Sequence, residues 1–241
     1  MSFSDKHIFF DLDRTLWDFD KNSENALKLI IEAEKLTSIF GSFGRFHRAY
    51  IKNNIRLWGE YGKGKLKKDV LRYERFHATL KQFGTNDLEL AKKMGDAYVE
   101  ISPRQKNLLP NTISVLQELT KIGFQLHIIT NGFVEVQYIK LENCGLRDFF
   151  KVIVCSEVVG KNKPARAIYN YALEKANCSA HDALMIGDDY VADVSGALNA
   201  GLQAVLFDPT MASKQHYPHT INDLKEFPEI ALQLLRTQPG L

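Results

Sequence analysis

The chain has 241 residues, of which 45% are hydrophobic and 25% charged, with a formal net charge of +2; that is enough apolar material for a sizeable core in one large domain or a domain with an insertion. So balanced a charge argues against nucleic acid polymers or an anionic membrane as general partners. No run of 18 apolar residues occurs, no basic segment leading into a long apolar stretch opens the chain, and Cys144, Cys155 and Cys178 show no C-x-x-C spacing, so the expected setting is a reducing cytoplasm, with no disulfide framework, zinc site or membrane span.

The first predicted element is the apolar run Ile8 to Phe10, short and continuous like a strand buried on both faces. It ends in Asp11 and Asp13. Residues two apart in an extended chain point the same way, so these carboxylates project together, about 7 Å apart along the chain, with Thr15 in the turn beyond. Two like charges so close are unfavourable unless one is protonated or a cation intervenes. Taken alone, they also suit a polar strand end and a helix cap.

From Phe19 to about Ser102 the 3.6-residue period takes over and predicts four helices. Asn22 caps the first, whose Ala26, Leu29, Ile30, Ala33 and Leu36 share a face; the others cover about 43–61, 65–83 and 86–101. An all-helical block inserted after a single strand reads as a lid domain, residues 17–103, hinged near 17–20 and 102–106, which leaves 1–16 and 104–241 as the other domain.

From Pro110, placed in the first turn of a helix, strands and helices alternate. Strands are predicted at 124–130, 152–156, 183–187 and 204–207, with helices at about 110–121, 134–143, 164–176, 191–200 and 222–235, and residues 238–241 as a frayed tail. This rhythm predicts an α/β fold built on a doubly wound parallel sheet, in which ligands bind beyond the carboxyl ends of the strands. Thr130-Asn131-Gly132 offers a hydroxyl, an amide and a flexible backbone there; Lys163 precedes Pro164, expected to start a helix and aim the lysine; Gly187 leads into Asp188, Asp189 and Asp193. Acids on two strand ends suit Mg²⁺, while a hydroxyl and a lysine on two others suit a phosphate.

These groups resemble, in order and spacing, the four motifs of the haloacid dehalogenase superfamily: Asp11-Leu12-Asp13-Arg14-Thr15, Thr130-Asn131-Gly132, Lys163-Pro164, and Gly187-Asp188 with Asp193. The resemblance covers the whole chain, including a helical cap of the C1 subgroup. It implies phosphoryl transfer through an aspartyl-phosphate, with Asp11 as nucleophile and Asp13 as acid, then base. Mg²⁺ would be held by the Asp11 carboxylate, the Asp13 main-chain carbonyl and Asp188, and the phosphoryl oxygens by Thr130, Asn131 and Lys163. Asp193 would orient Lys163 or a metal-bound water, and Asp189 would be a third acid near the metal or only a helix cap. Arginine at 14 departs from the family's more frequent glycine.

Within the superfamily the second aspartate points to phosphatases and mutases rather than dehalogenases. Segments 129–146, 156–160 and 168–174 resemble the bacterial pyrimidine 5'-nucleotidase group, which implies a nucleoside monophosphate as the small phosphorylated substrate. The alternatives are a phosphoglycolate or sugar-phosphate phosphatase, a sugar phosphomutase and, from another class, a phosphoaccepting or nucleotide-binding protein without turnover. Trp17, Phe19, Trp58 and Tyr61 suit either base stacking or helix packing, the second being favoured. Arg72 and Arg75 suit either a substrate group or a surface ion pair. The lysines at 63, 65, 67 and 68 suit either substrate steering or, preferably, a solvated turn.

Overall fold

A computed structural model describes residues 3–211 and 216–236, so the expected tail at 238–241 lies outside the described residues. Strand β1 (His7–Phe10) is followed by helices α1 (Phe19–Ala33), α2 (Thr37–Phe40), α3 (Phe43–Gly62), α4 (Lys68–Gln82) and α5 (Leu88–Ile101). The alternating region comprises α6 (Thr112–Ile122), β2 (Gln125–Thr130), α7 (Val134–Asn143), β3 (Val152–Cys155), α8 (Ser156–Val159), α9 (Arg166–Ala176) and β4 (Ala183–Gly187). A π-helical segment (Tyr190–Ser195) then runs into α10 (Gly196–Asn199), followed by β5 (Gln203–Phe207), β6 (Thr220–Ile221) and α11 (Phe227–Leu235).

The six strands form one sheet in the order β3-β2-β1-β4-β5-β6, every pair parallel. The apolar runs alternate between its two faces. Ile8, Phe10, Ile128, Ile186 and Val205 pack with Val115, Leu119 and Leu141 and with Phe227 and Ala231 of α11. Phe9, Ile129, Met185 and Leu206 face the opposite layer, Ile168, Ala172, Val194 and Ala197. Helices on both faces explain why the strands carry no polar alternation. Phe10 pairs with both Ile128 and Ile186, so β1, β2 and β4 end side by side at the point where the strand order reverses, the expected ligand crevice.

The chain forms two compact units, one comprising residues through Phe19 together with Lys106 onward, the other Asp20–Gln105. Leu16 and Trp17, expected at the boundary, are fully buried in the first unit's core. Main-chain bonds from Leu109 to Leu16 and from Asp18 to Asn107 carry that unit past them.

The helical unit has its own core around Phe40, Phe46, Tyr50, Phe76, Met94 and Tyr98. Here the sequence expectation needs correction at its first helix. Helix α1 starts three residues before Asn22, which is buried within it rather than capping it, and Lys35 at φ 53° separates α1 from the extra helix α2. Ser42 and Asp87 cap α3 and α5. Pro110 lies outside α6, preceded as that helix is by Asn111 at φ 66°. No helix among the described residues is long and apolar enough to cross a membrane.

Candidate active site

Asp11 continues β1 by one residue, since its N–H still bonds the Ile186 carbonyl at 2.9 Å. Its Oδ1 accepts from Lys163 Nζ at 2.7 Å, and Thr15 Oγ1 lies 3.4 Å from Oδ2. Lys163 also donates to Asp193 Oδ1 at 2.6 Å and to the Ile129 carbonyl at 2.8 Å, so all three ammonium protons are used. The triad is deeply buried, with Asp11 7%, Lys163 5% and Asp193 1% exposed. Asp193 Oδ2 accepts the Asp189 N–H at 3.0 Å. A Cβ at Gly187 would lie 2.2 Å from Asp193 Cγ, so only glycine leaves room for this carboxylate.

Pro164 does not start the helix as expected: the Lys163–Pro164 bond is cis and α9 begins only at Arg166. Asn131 holds the Lys163 main chain: its Oδ1 accepts the Lys163 N–H at 2.8 Å while its Nδ2 donates to the Lys163 carbonyl at 3.2 Å. The side chain expected on a phosphate is thereby committed to the backbone of a lysine. Ser156 donates to the Asn131 carbonyl and Glu157 accepts the Val134 N–H, which secures the same loop from α8. Asp189 resolves as a cap, accepting the N–H groups of Val191 and Ala192 at 2.8 and 2.9 Å.

One carboxylate oxygen each from Asp11, Asp188 and Asp193 lies within 4.8 Å of the others. The Lys163 ammonium alone cannot balance two buried acids and a third, half-buried one beside them. Burial, with the charges of Asp193 and Asp13 added and Lys163 opposing, raises Asp11 to about 7. Burial, then Asp11 and Asp193, raises Asp188 to about 8. Burial alone would lower Lys163, but the two carboxylates outweigh it and hold the ammonium above the ordinary lysine range. Asp188 makes no hydrogen bond among the described residues. Hard oxygen donors with surplus negative charge fit Mg²⁺, and because Asp193 already spends both oxygens on Lys163 and Asp189, the open donors are on Asp11 and Asp188.

Asp13 points elsewhere. Its Oδ1 is 2.6 Å from Lys140 Nζ and its Oδ2 is 3.0 Å from Gln137 Nε2. Gln137 and Lys140 lie in the segment 129–146 that resembles the nucleotidases, but outside all four motifs. The available signal was a glutamine and a lysine three apart beside Leu141, on the face α7 turns to the core. Gln137 Nε2 also donates to Thr130 Oγ1 at 2.8 Å. Arg14 has φ 66°, which accounts for the glycine usual there, and its guanidinium lies 4.4 Å from the centre of the Phe19 ring; a side chain in that conformation costs about 1–2 kcal/mol.

Of the aromatics considered for stacking, Trp17 is core of the first unit. Trp58 and Tyr61 are half-buried, edge to face at 5.6 Å, outside the helical unit's apolar cluster. Arg75 is no surface ion pair: 5% exposed, it lies over Tyr98 and donates to Asn54, with no carboxylate against it among the described residues.

A buried aspartate at the first strand end, a lysine held against it and an acid cluster beyond the fourth strand define a hydrolase of one known kind. Residues 6–201 match the haloacid dehalogenase-like hydrolases, and the chain belongs to that family. It is a phosphatase of the family. Pyrimidine 5'-nucleotidase YjjG of Escherichia coli is 35% identical over 199 residues, covering 81% of this chain and 82% of that protein. Ribulose-1,5-bisphosphate 5-phosphatase of Halopiger xanaduensis is 29% identical over 245 residues, 92% of this chain and 98% of that protein. The crystal structure of the HAD-hydrolase YfnB from Bacillus subtilis, bound to magnesium, superposes with a TM-score of 0.83 at 30% identity, covering 94% of this chain and 98% of that one.

Proposed function

We propose that this phosphatase is a Mg²⁺-dependent 5'-nucleotidase that hydrolyses nucleoside monophosphates through an aspartyl-phosphate on Asp11. The observation that carries the chemistry is the surplus of carboxylate where buried Asp11 and Asp193 share one lysine and half-buried Asp188 lies beside them. Mg²⁺, held by the Asp11 carboxylate, the Asp13 main-chain carbonyl and Asp188, supplies the positive charge that lets an anionic nucleophile meet an anionic phosphoryl group. Asp11 attacks phosphorus in line. Asp13 gives a proton to the leaving oxygen and then takes one from the water that hydrolyses the intermediate. Lys163 has no spare proton to offer, so a phosphoryl oxygen that reaches it takes the hydrogen bond now made to Asp11. Asp193 keeps the ammonium in place throughout.

The nucleotide as substrate is supported by the 35% identity to YjjG, and the helical insertion is read as the cap that selects it. The likeness to the Halopiger sugar-phosphate phosphatase keeps a second substrate class in play. Phosphate release from a panel of nucleoside monophosphates, sugar phosphates and phosphoglycolate, with Mg²⁺ or EDTA and beside Asp11→Asn, tests both. Turnover strongest on nucleotides, dependent on Mg²⁺ and lost in the variant, supports the proposal. Turnover confined to sugar phosphates replaces the substrate and keeps the mechanism, while turnover unaffected by EDTA and by Asp11→Asn refutes the mechanism.

A further inference from the structure

Two residues of α7 outside the four motifs hydrogen-bond the second aspartate. Gln137 and Lys140 lie one turn apart, 0% and 3% exposed. The amide nitrogen of Gln137 carries two protons and has two acceptors, Asp13 Oδ2 and Thr130 Oγ1. Its orientation is fixed by charge, because turning the amide over would set Oε1 against a carboxylate. Oε1 is left buried without a partner, a cost that the two donated bonds must offset. Thr130 Oγ1 also accepts the Gly132 N–H at 3.1 Å. Two accepted bonds occupy its lone pairs, so the hydroxyl proton is free to be donated. Lys140 takes the other oxygen of Asp13 while its ammonium lies 4.2 Å from the centre of the Trp17 ring.

We propose that Gln137 and Lys140 are positioning residues for phosphoryl transfer: together they fix both oxygens of Asp13, and Gln137 makes the Thr130 hydroxyl a donor to the phosphoryl group. This rests on the phosphatase mechanism above. Gly132 belongs to the same device. A Cβ there would lie 1.8 Å from Gln137 Nε2, so the motif's glycine is the space the amide occupies.

The test compares kcat/KM, with Mg²⁺, on an alkyl phosphate, whose leaving oxygen needs a proton, and on p-nitrophenyl phosphate, whose leaving group departs without one. Lys140→Met is expected to lose about 10- to 100-fold on the alkyl ester and little on the nitrophenyl ester, the loss a misplaced general acid produces. Lys140→Arg restores most of it. Gln137→Leu shows the same split together with a raised KM for both esters through Thr130. Gly132→Ala, which evicts the amide, behaves like Gln137→Leu, and the double variant is no worse than either alone. Equal losses on both esters, or none, overturn the proposal. Crystal structures of Gln137→Leu and Lys140→Met decide it without turnover: an Asp13 carboxylate that stays in place in both variants overturns it, and one that moves while Asp11, Lys163 and Asp193 hold still supports it. Failure of the wild-type protein to hydrolyse these esters and every phosphate of the panel above would instead sink the phosphatase mechanism and leave the crystallographic result to judge the positioning role.

Discussion

Asp188→Asn should make the protein more stable while disabling it. The carboxylate of Asp188 has no hydrogen bond among the described residues, so the isosteric amide strands no partner, and Lys163 keeps both of its acids. The unfolded carboxyl ionises near 3.8 and the folded one near 8. Between those values folding takes up a proton, so the group's contribution to stability falls as pH rises and the full penalty stands above 8. Linkage sets an upper limit of about 5 kcal/mol at pH 8 and about 2 kcal/mol at pH 5. The effective dielectric of real buried sites cuts these to about half. For a chain of this size the gain corresponds to a melting temperature higher by about 5–10 °C at pH 8 and about 2–4 °C at pH 5. The assay is thermal melting of both proteins in EDTA at the two pH values, repeated with Mg²⁺, which should stabilise the wild type far more than the variant. A variant no more stable than wild type at pH 8, or a gap that does not narrow at pH 5, would refute the reasoning.

Three further outcomes follow from contacts elsewhere. His127 is 1% exposed with Nε2 3.0 Å from His7 Nδ1, and burial pulls its pKa down from 6.5 to about 3; its stability contribution is whole above 6.5 and lost as pH falls towards 3, by up to about 1.4 kcal/mol per pH unit. Urea unfolding of wild type and His127→Phe at pH 7, 5.5 and 4.5 should therefore give lines that converge or cross as pH falls, whereas parallel lines would contradict this. Gly187→Ala drives a Cβ into Asp193 and unpairs Lys163, so chemical denaturation should show a loss of about 3–5 kcal/mol. Gly95→Ala sets a Cβ 2.8 Å from the Arg72 carbonyl oxygen, backbone against backbone; overpacking of about 1–3 kcal/mol outweighs the helix propensity gained, and faster hydrogen exchange should be confined to α4 and α5.

Elements with a continuous apolar run were readable from the chain alone. The residues 183–187 appear with the expected bounds as β4, because unbroken burial leaves one arrangement open; 134–143 also appear as expected, as α7, although the buried face of that helix is largely polar, Gln137 and Lys140 beside Leu141. The sequence could not show β6, two residues whose pairing depends on β5 lying beside them, nor the break after α1, which depends on one left-handed residue. The strand-end acids were legible because a parallel sheet brings together what the sequence keeps apart. The second layer was not. Asn131 on the backbone of Lys163 and Gln137 on Asp13 are contacts across 32 and 124 residues, with no local pattern to announce them.

The motif glycines show how much of a site can be written as an absent side chain. Flexibility near an anion was the natural reason for glycine at 132, yet neither Gly132 nor Gly187 has the left-handed backbone that favours glycine. Each is small because a polar group five or six residues later folds back over it: the Gln137 amide over Gly132 and the Asp193 carboxylate over Gly187. The two cases differ in what can yield. Gln137 meets the added Cβ with the end of a long chain that can swing away, so alanine at 132 should fold and fail in function. Asp193 meets it with Cβ and Cγ, held by Lys163 and the Asp189 N–H, so alanine at 187 should fail in stability first. Two glycines that read alike in the sequence thus guard different things: one the amide that holds the Asp13 carboxylate, the other the carboxylate that, with Asp11, balances the buried Lys163 ammonium.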